Sequence, residues 1–367
     1  MPANSPAPLP EVAIVILNWN GARDTIACLD SLLQLNYRPL HIIVVDNGST
    51  DTSVENIRGY CSGTIEVSSS LFPQVRQAAP VPCRDFSADE AMDEEIIRSR
   101  LPASLEKRSI ILIQNPENSG YAKGNNLGIR FALRALSPDY ILILNNDVII
   151  TDSSLLDRLV SHCEQDPGIG VISPLIRSPD GSIERTCTRS LPVFADFLLV
   201  HSFLGQLIFR ETGVWRHYYH YDYTFDAPRE FEVISGAFML FRSEALKEIG
   251  LFDEETFLYW EEYIAGRKLK DCGWRSVLFP QAAVIHKGES TITTFRLKSW
   301  ARYWSIRSEF VFIAKYSHLN ILERGIITTT LAFEACLGLL LASLRPGRKE
   351  FDAHCELRIL RFLLLRR

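Results

Sequence analysis

No two cysteines in this 367-residue chain form a C-x-x-C pair. The eight present, Cys28, Cys61, Cys83, Cys163, Cys187, Cys272, Cys336 and Cys355, are scattered. That spacing excludes a zinc-ribbon pattern and suits buried thiols in a reducing compartment better than a disulfide framework. A surplus of positive charge is also missing. The formal net charge is -5 and the pI about 6.0, so no global basic field favours a nucleic-acid backbone as the main partner. Residues 1–10 lack both the basic flank and the apolar core of a signal peptide and are expected to form a loose arm. Apolar residues are plentiful, 47% against 23% charged, enough for one large or two modest domains with a real core.

The apolar residues fall in short runs. Val12 to Leu17 is a continuous apolar strand, followed by the turn Asn18-Trp19-Asn20-Gly21 and a helical pattern from Arg23 to Leu35. His41 to Val45 is a second strand, closing on Asp46-Asn47-Gly48-Ser49-Thr50-Asp51, and a helix starts near Ser49. Short loops and this order predict parallel strands with a right-handed crossover. Prolines and an acidic stretch break the pattern over 60–108, which is expected to be an insertion outside the central sheet. Ile110 to Ile113 and Tyr140 to Leu144 are further strands, separated by a helix ending near Leu136. Gly170 to Ser173, Val233 to Phe241 and Ser276 to Phe279 extend the same domain. The fold class expected is α/β, a mainly parallel sheet flanked by helices over 11–294.

The composition changes over 295–367. Phe295 to Tyr316 is aromatic and basic with helical spacing, and Ile326 to Leu344 is almost wholly apolar. Its length would allow a membrane span, but Glu334 near the middle, at about 3 kcal/mol for a central acid, argues against a simple one. A helix lying in the interface or docked on the domain fits as well. Arg345, Arg348, Lys349, Arg358, Arg361, Arg366 and Arg367 favour an anionic cytoplasmic leaflet as a partner surface for 326–367. Phe194 to Phe209 is expected to be one helix near an apolar acceptor or in the core.

The stretch Asn145-Asn146-Asp147 places two amides and a carboxylate at the exit of a buried strand, where open α/β sheets bind ligands. A carboxylate there can hold a divalent cation against a diphosphate. With Val15-Ile16-Leu17-Asn18-Trp19-Asn20-Gly21, Val44-Val45-Asp46-Asn47-Gly48-Ser49-Thr50-Asp51, Asn118 to Asn126 and Gly236-Ala237-Phe238-Met239-Leu240, the chain resembles family 2 glycosyltransferases of the GT-A fold. Within that family it looks most like the rhamnosyltransferase-type enzymes of bacterial surface polysaccharide assembly. The resemblance covers most of residues 12 to 290 and implies a nucleotide-sugar donor, UDP- or dTDP-linked, and a saccharide or lipid-linked glycan acceptor. It implies a cytoplasmic enzyme, peripheral at the inner face of the membrane.

The resemblance also implies roles. Asp147 and His286 would hold Mn²⁺ or Mg²⁺. Asp46 would accept the N3 hydrogen of uracil or thymine, and Leu17, Asn20, Asn145 and Asn146 would line the donor. Gly120 and Gly124 would allow close backbone approach, and Lys123 or Asn125 would reach the diphosphate. Glu262 is the expected base for an inverting transfer, with Glu261 supporting it or binding the acceptor. An acid common two positions further on is Ile264 here, so the choice between the two glutamates stays open. Trp260 and Arg189 are expected on the acceptor side. His217 and His220 are expected to flank that cleft rather than bind metal. The Q-x-x-R-W motif of processive synthases is lacking, as is the glycine-rich basic loop of sugar-1-phosphate nucleotidyltransferases. A non-catalytic glycan-binding or membrane-docking relative is the remaining alternative.

Overall fold

The computed structural model describes residues 8–65, 80–101, 109–288, 295–344 and 349–365. Strand β1 (Val12–Asn18) is apolar along nearly its whole length because helices cover both faces of the sheet it centres. Helix α1 (Ala22–Leu32) crosses to β2 (Leu40–Asn47), and α2 (Ser53–Ser62) leads on to β3 (Cys83–Ser87). Then follow α3 (Glu94–Arg100), β4 (Ile110–Asn115), α4 (Tyr121–Ala135), β5 (Tyr140–Asn145) and β6 (Val148–Ile149). The second half adds α5 (Leu155–Gln165), β7 (Ile169–Arg177), β8 (Thr188–Arg189), α6 (Phe194–Asp196), α7 (Phe203–Phe209), α8 (Gly213–Tyr218) and β9 (Arg229–Phe231). It closes with β10 (Val233–Ile234), β11 (Phe238–Arg242), α9 (Ser243–Glu248), α10 (Glu261–Asp271) and β12 (Arg275–His286).

The main sheet has ten strands in the order β3-β4-β2-β1-β5-β11-β7-β12-β6, with β9 on β12, and a separate pair joins β10 to β8. Strands β3 to β5 run parallel, β11 lies antiparallel between β5 and β7, and β12 runs parallel to β7. Register sets Asn18 opposite Asp46 and Leu17 opposite Asn145. The chain goes outward from β1 to β2 and returns from β4 across to β5, so β1 and β5 flank the switch point where such sheets open a crevice.

Three expectations need correction. The segment 60–108 does not stay outside the sheet: β3 pairs with β4 as an edge strand, and its Cys-Arg-Asp-Phe-Ser sequence carries no apolar run because only Phe86 is fully buried. Val233 to Phe241 is not one strand, since Gly236 turns the chain between β10 and β11. Phe194 to Phe209 is not one helix. A π turn, Phe197–His201, and a fresh start capped by Ser202 Oγ on the Gly205 amide (2.9 Å) interrupt it.

Helices α11 (Phe295–Lys315), α12 (Ile321–Ser343) and α13 (Lys349–Leu365) complete the chain. Asn320 and Glu323 form a reciprocal capping box at the start of α12, with bonds of 3.0 and 2.8 Å. These helices share a second core with the segment before α10: Phe197, Trp215, Trp260 and Tyr263 pack with Phe312, Leu331 and Ile359. Within it, Glu309 lies buried beside Glu334; burial and that neighbour push its pKa up to about 8. The folded chain therefore holds this proton more tightly than the unfolded one. The resulting stability is full below about pH 4.5 and is lost as pH rises to about 8, a loss on the order of a few kcal/mol. The thermal midpoint should fall between pH 5 and 8, and Glu309→Gln should flatten that decline and raise the midpoint at pH 8.

Candidate active site

The C-terminal ends of β1, β2 and β5 open into a cavity of about 340 Å³. Leu17, Asn47, Asn145, Asn146, Asp147 and His286 line its polar side. The opposite wall is aromatic and comes from three places: Trp19 after β1, the loop Phe257-Leu258-Tyr259, and Trp300 of α11. Trp19 stacks on Trp300 with centroids 6.0 Å apart, and Phe257 stacks on Trp304 at 4.3 Å. A basic-aromatic helix thus roofs a site made by the sheet.

Asn47 organises the rim. Its Oδ1 accepts from Asn115 Nδ2 (2.9 Å) and the Ser119 amide (3.2 Å), while Nδ2 donates to Asn118 Oδ1 and the Gly120 carbonyl (both 3.1 Å). Gly120 has φ +87, and a Cβ there would stand 2.6 Å from the Phe257 carbonyl oxygen. Only glycine lets this turn meet the aromatic wall. Asp46, one residue earlier on the strand, turns the other way. It is buried and accepts from Asn18 Nδ2 (2.7 Å), Ser49 Oγ (2.6 Å) and the Ser49 amide (3.1 Å). Its carboxylate fastens the two first turns together and does not line the cavity.

Asp147 is buried, with Oδ1 3.3 Å from His286 Nε2. The other ring nitrogen, Nδ1, lies 3.1 Å from Glu184 Oε2. Burial pushes the imidazole pKa down, but the bonds to Asp147 and Glu184 outweigh it and hold it at about 10. One carboxylate, one imidazole and an outer carboxylate fixing that ring form a set suited to a divalent cation, which would displace the Nε2 proton on binding. Among the described residues no group of three or more His, Cys, Asp and Glu is arranged as a complete metal cage. Asn146 donates to Thr25 Oγ1 (3.0 Å) and Asn145 Oδ1 accepts from Tyr121 Oη (3.2 Å).

Tyr121 connects the two halves of the site. Its hydroxyl also lies 3.1 Å from the Gly236 carbonyl oxygen, and a Cβ on Gly236 would stand 3.8 Å from Glu262 Oε2. Burial and the charges of Glu261, Glu262 and Asp147 raise the phenol pKa well above its ordinary value, so it serves as a neutral donor. Glu262 pairs with Arg189 at 2.6 Å, and the guanidinium lies 5.1 Å from the Tyr263 ring centroid. Glu261 is buried, its Oε1 lacks a hydrogen-bond partner, and burial followed by the Glu262 charge raises its pKa well above the carboxylate range.

Several expected placements differ. Trp260 does not line the cavity and lies buried in the second core, stacked on Phe197 at 5.9 Å. Tyr259 and Trp260 both have positive φ, 67° and 72°, a strained turn that sends Tyr259 to the cavity and Trp260 inward. Lys123 is exposed, Asn125 is buried with Nδ2 on the Tyr121 carbonyl (3.0 Å), and neither lines the cavity. Gly124 is filled from the protein side, since a Cβ would meet Leu17 Cδ1 at 2.5 Å. Asn20 ties its turn to the next one through the Thr50 amide (2.8 Å). The two glutamates also stay off the cavity lining, Glu262 reaching it only through Gly236 and Tyr121. Asn47, Tyr121, Glu184 and Trp300 were not singled out by the sequence. Tyr121 and Asn47 sat inside quoted motifs, whereas Glu184 lies 102 positions from the histidine it holds.

This mixed sheet with its crevice at β1 and β5 is a GT-A glycosyltransferase fold. Residues 94–304 match the family described as Glycosyltransferase like family 2 and residues 13–74 match Glycosyl transferase family 2, and the chain belongs to that family. It is 28% identical over 271 residues to N-acetylglucosaminyl-diphospho-decaprenol L-rhamnosyltransferase of Mycobacterium tuberculosis, covering 72% of each chain. Rhamnosyltransferase WbbL of Escherichia coli is 26% identical over 199 residues, 53% of this chain and 70% of that one. The mannosyltransferase PcManGT from Pyrobaculum calidifontis, solved with GDP-Man and Mn²⁺, superposes with a TM-score of 0.52 at 15% identity, covering 100% of this chain and 90% of that one. The expected family and its rhamnosyltransferase-like branch agree with these matches, and the chain is a glycosyltransferase.

Proposed function

We propose that the protein transfers a single sugar, with inversion, from a UDP- or dTDP-sugar to a saccharide acceptor carried on a lipid, working at the cytoplasmic face of a membrane. The observation that supports this is two differently built acid centres, Asp147 with His286 at the cavity and Glu262 with Arg189 behind Gly236, with the Tyr121 hydroxyl between them on Asn145 Oδ1 and the Gly236 carbonyl. The aromatic wall of Trp19, Phe257 and Trp300 supplies flat apolar surface for a nucleobase or sugar face.

Asp147 and the Nε2 of His286 would hold Mn²⁺ or Mg²⁺, which supplies positive charge against the diphosphate. Glu184 keeps the imidazole oriented. Across Tyr121, the carboxylate of Glu262 takes the proton of the acceptor hydroxyl as that oxygen bonds to the anomeric carbon, and the bond from that carbon to the diphosphate breaks on the opposite side. Arg189 fixes the Glu262 carboxylate in one rotamer. Asn47 and Gly120 shape the rim that receives the nucleotide, and Asp46 acts through the turns it fastens.

Thermal-shift measurement with UDP-, dTDP- and GDP-sugars, each with Mn²⁺, tests the donor. Ligand at a hundredfold excess over its Kd should add about 2.7 kcal/mol of stability. One nucleotide class should stabilise the chain only with metal present and should also be turned over. If no sugar nucleotide binds and none is consumed with Mn²⁺, the proposal fails and the binding-protein alternative gains.

A further inference from the structure

Helix α12 lacks a polar outer face. Beyond Arg324, Glu334 is its single charged residue, and that acid points inward and accepts the Leu204 amide at 2.8 Å. On the opposite side Leu322, Ile326, Phe333, Leu340 and Leu344 recur at helical spacing and are exposed, Leu322 by 73%, Phe333 by 59% and Leu344 by 69%. At roughly 1.5 Å per residue this stripe runs about 33 Å. A helix docked on a domain in water normally turns charge outward, and α12 turns out leucine and phenylalanine instead.

A second apolar ridge stands beside it. The Leu204–Glu334 bond seats α7 against the middle of α12, and α7 leaves Phe203, Leu207 and Ile208 exposed. Arg210, seven positions after Phe203, is exposed at the end of that helix. On α13, Leu357, Arg361 and Leu364 fall at i, i+4 and i+7 and are all exposed. Arginine at the margins of uncharged leucine ridges is the complement of an anionic lipid surface.

We infer that α12, with α7 and the outer face of α13, lies in the plane of an anionic lipid interface and does not cross it. The inner side of α12 packs on helices that carry the Arg302–Glu356 ion pair and the buried Glu309, and a crossing α12 would draw these into hydrocarbon. The surface is joined through the chain to the proposed acceptor side of the site. Four residues after Arg189, the partner of Glu262, the exposed Val193 begins the segment leading to α7, so the chain runs directly from the Glu262 ion pair into the apolar ridge. This placement rests on the lipid-linked acceptor reading and defines how that acceptor is approached.

Flotation of the full chain with vesicles of phosphatidylcholine alone, or with 30% phosphatidylglycerol, tests it. The protein should float with the anionic vesicles, bind them about tenfold more tightly than the neutral ones, and be released by alkaline carbonate. Leu207→Glu and the double change Phe333→Glu, Leu340→Glu, all at exposed positions, should each lower vesicle partition about tenfold or more. Sugar-nucleotide turnover in solution should stay at the wild-type rate. Absence of flotation overturns the inference, as does resistance to carbonate, which would mean a span. A dimer in light scattering that Phe333→Glu converts to monomer also overturns it. Solution turnover reports the transferase reading and vesicle capture reports this one, so either can fail alone.

Discussion

Asp147→Ala will lower kcat/KM for sugar transfer by about 10³, close to 4 kcal/mol of transition-state stabilisation, while circular dichroism stays that of the wild type. The fold should survive because the backbone does the structural work at this position. The Asp147 carbonyl accepts the Lys287 amide at 3.1 Å, and β6 pairs with β12 through Val148 and Ile149 whatever side chain precedes them. The removed carboxylate is one of two that hold His286, so the variant also loses the arrangement that presents Nε2 to a cation. Free Mn²⁺ measured by electron paramagnetic resonance should show weakened binding alongside the lost rate. Asp147→Asn, which keeps the shape and drops the charge, should behave like the alanine variant. Near-normal transfer in either one would remove the diphosphate side of the proposed mechanism.

The distinction between that charge and its neighbours was only partly legible from sequence. The strands that build the crevice were plain because β1, β2, β4 and β5 are buried on both faces and need unbroken apolar runs. Edge strand β3 pairs on one side only and fully buries Phe86 alone, so nothing else in Cys83 to Ser87 had to alternate or be apolar. Strand β12 read as two separate apolar runs, Ser276 to Phe279 and Ala282 to Ile285, because Pro280 interrupts the pattern where the register shifts between Phe279 and Ala283. The later run Ala282 to Ile285 belongs to the same strand and delivers His286 to Asp147.

Site residues divide the same way. Motif order named Asp147 and His286, which the structure brings within 3.3 Å of each other. It failed where direction mattered: Tyr259 and Trp260 are adjacent aromatics, and only the two left-handed backbone conformations decide which faces the cavity. It failed again for Glu184, whose partner ends the neighbouring strand but lies 102 positions away in sequence. Asp46 was correctly sited at the strand end, and its bonds to Ser49 are local, but its bond to Asn18 depends on a register between two strands that no local spacing encodes.

The two glutamates left open by sequence differ in their surroundings, Glu262 paired with Arg189 and Glu261 buried with an unpartnered Oε1, and the expected result is asymmetric. Glu262→Gln should cut kcat by about 10³ with little change in KM, since a positioned base contributes about 10²–10⁴ and glutamine keeps the contact shape without accepting the proton. Glu261→Gln should retain most of the rate. Neither glutamate lines the cavity, but burial followed by the Glu262 charge has raised the Glu261 pKa well above the carboxylate range, which keeps it protonated and unable to take the acceptor proton. Stability must be separated from chemistry here. Removing the Glu262 charge leaves Arg189 without its ion-pair partner in a largely buried site, at a cost of about 3 kcal/mol. A double variant, Arg189→Met with Glu262→Gln, removes that stranded charge and should recover most of the lost thermal stability. It should recover none of the lost transfer. If activity returned together with stability, Glu262 would be a structural partner of Arg189; if Glu261→Gln carried the large rate loss instead, the two roles would be exchanged.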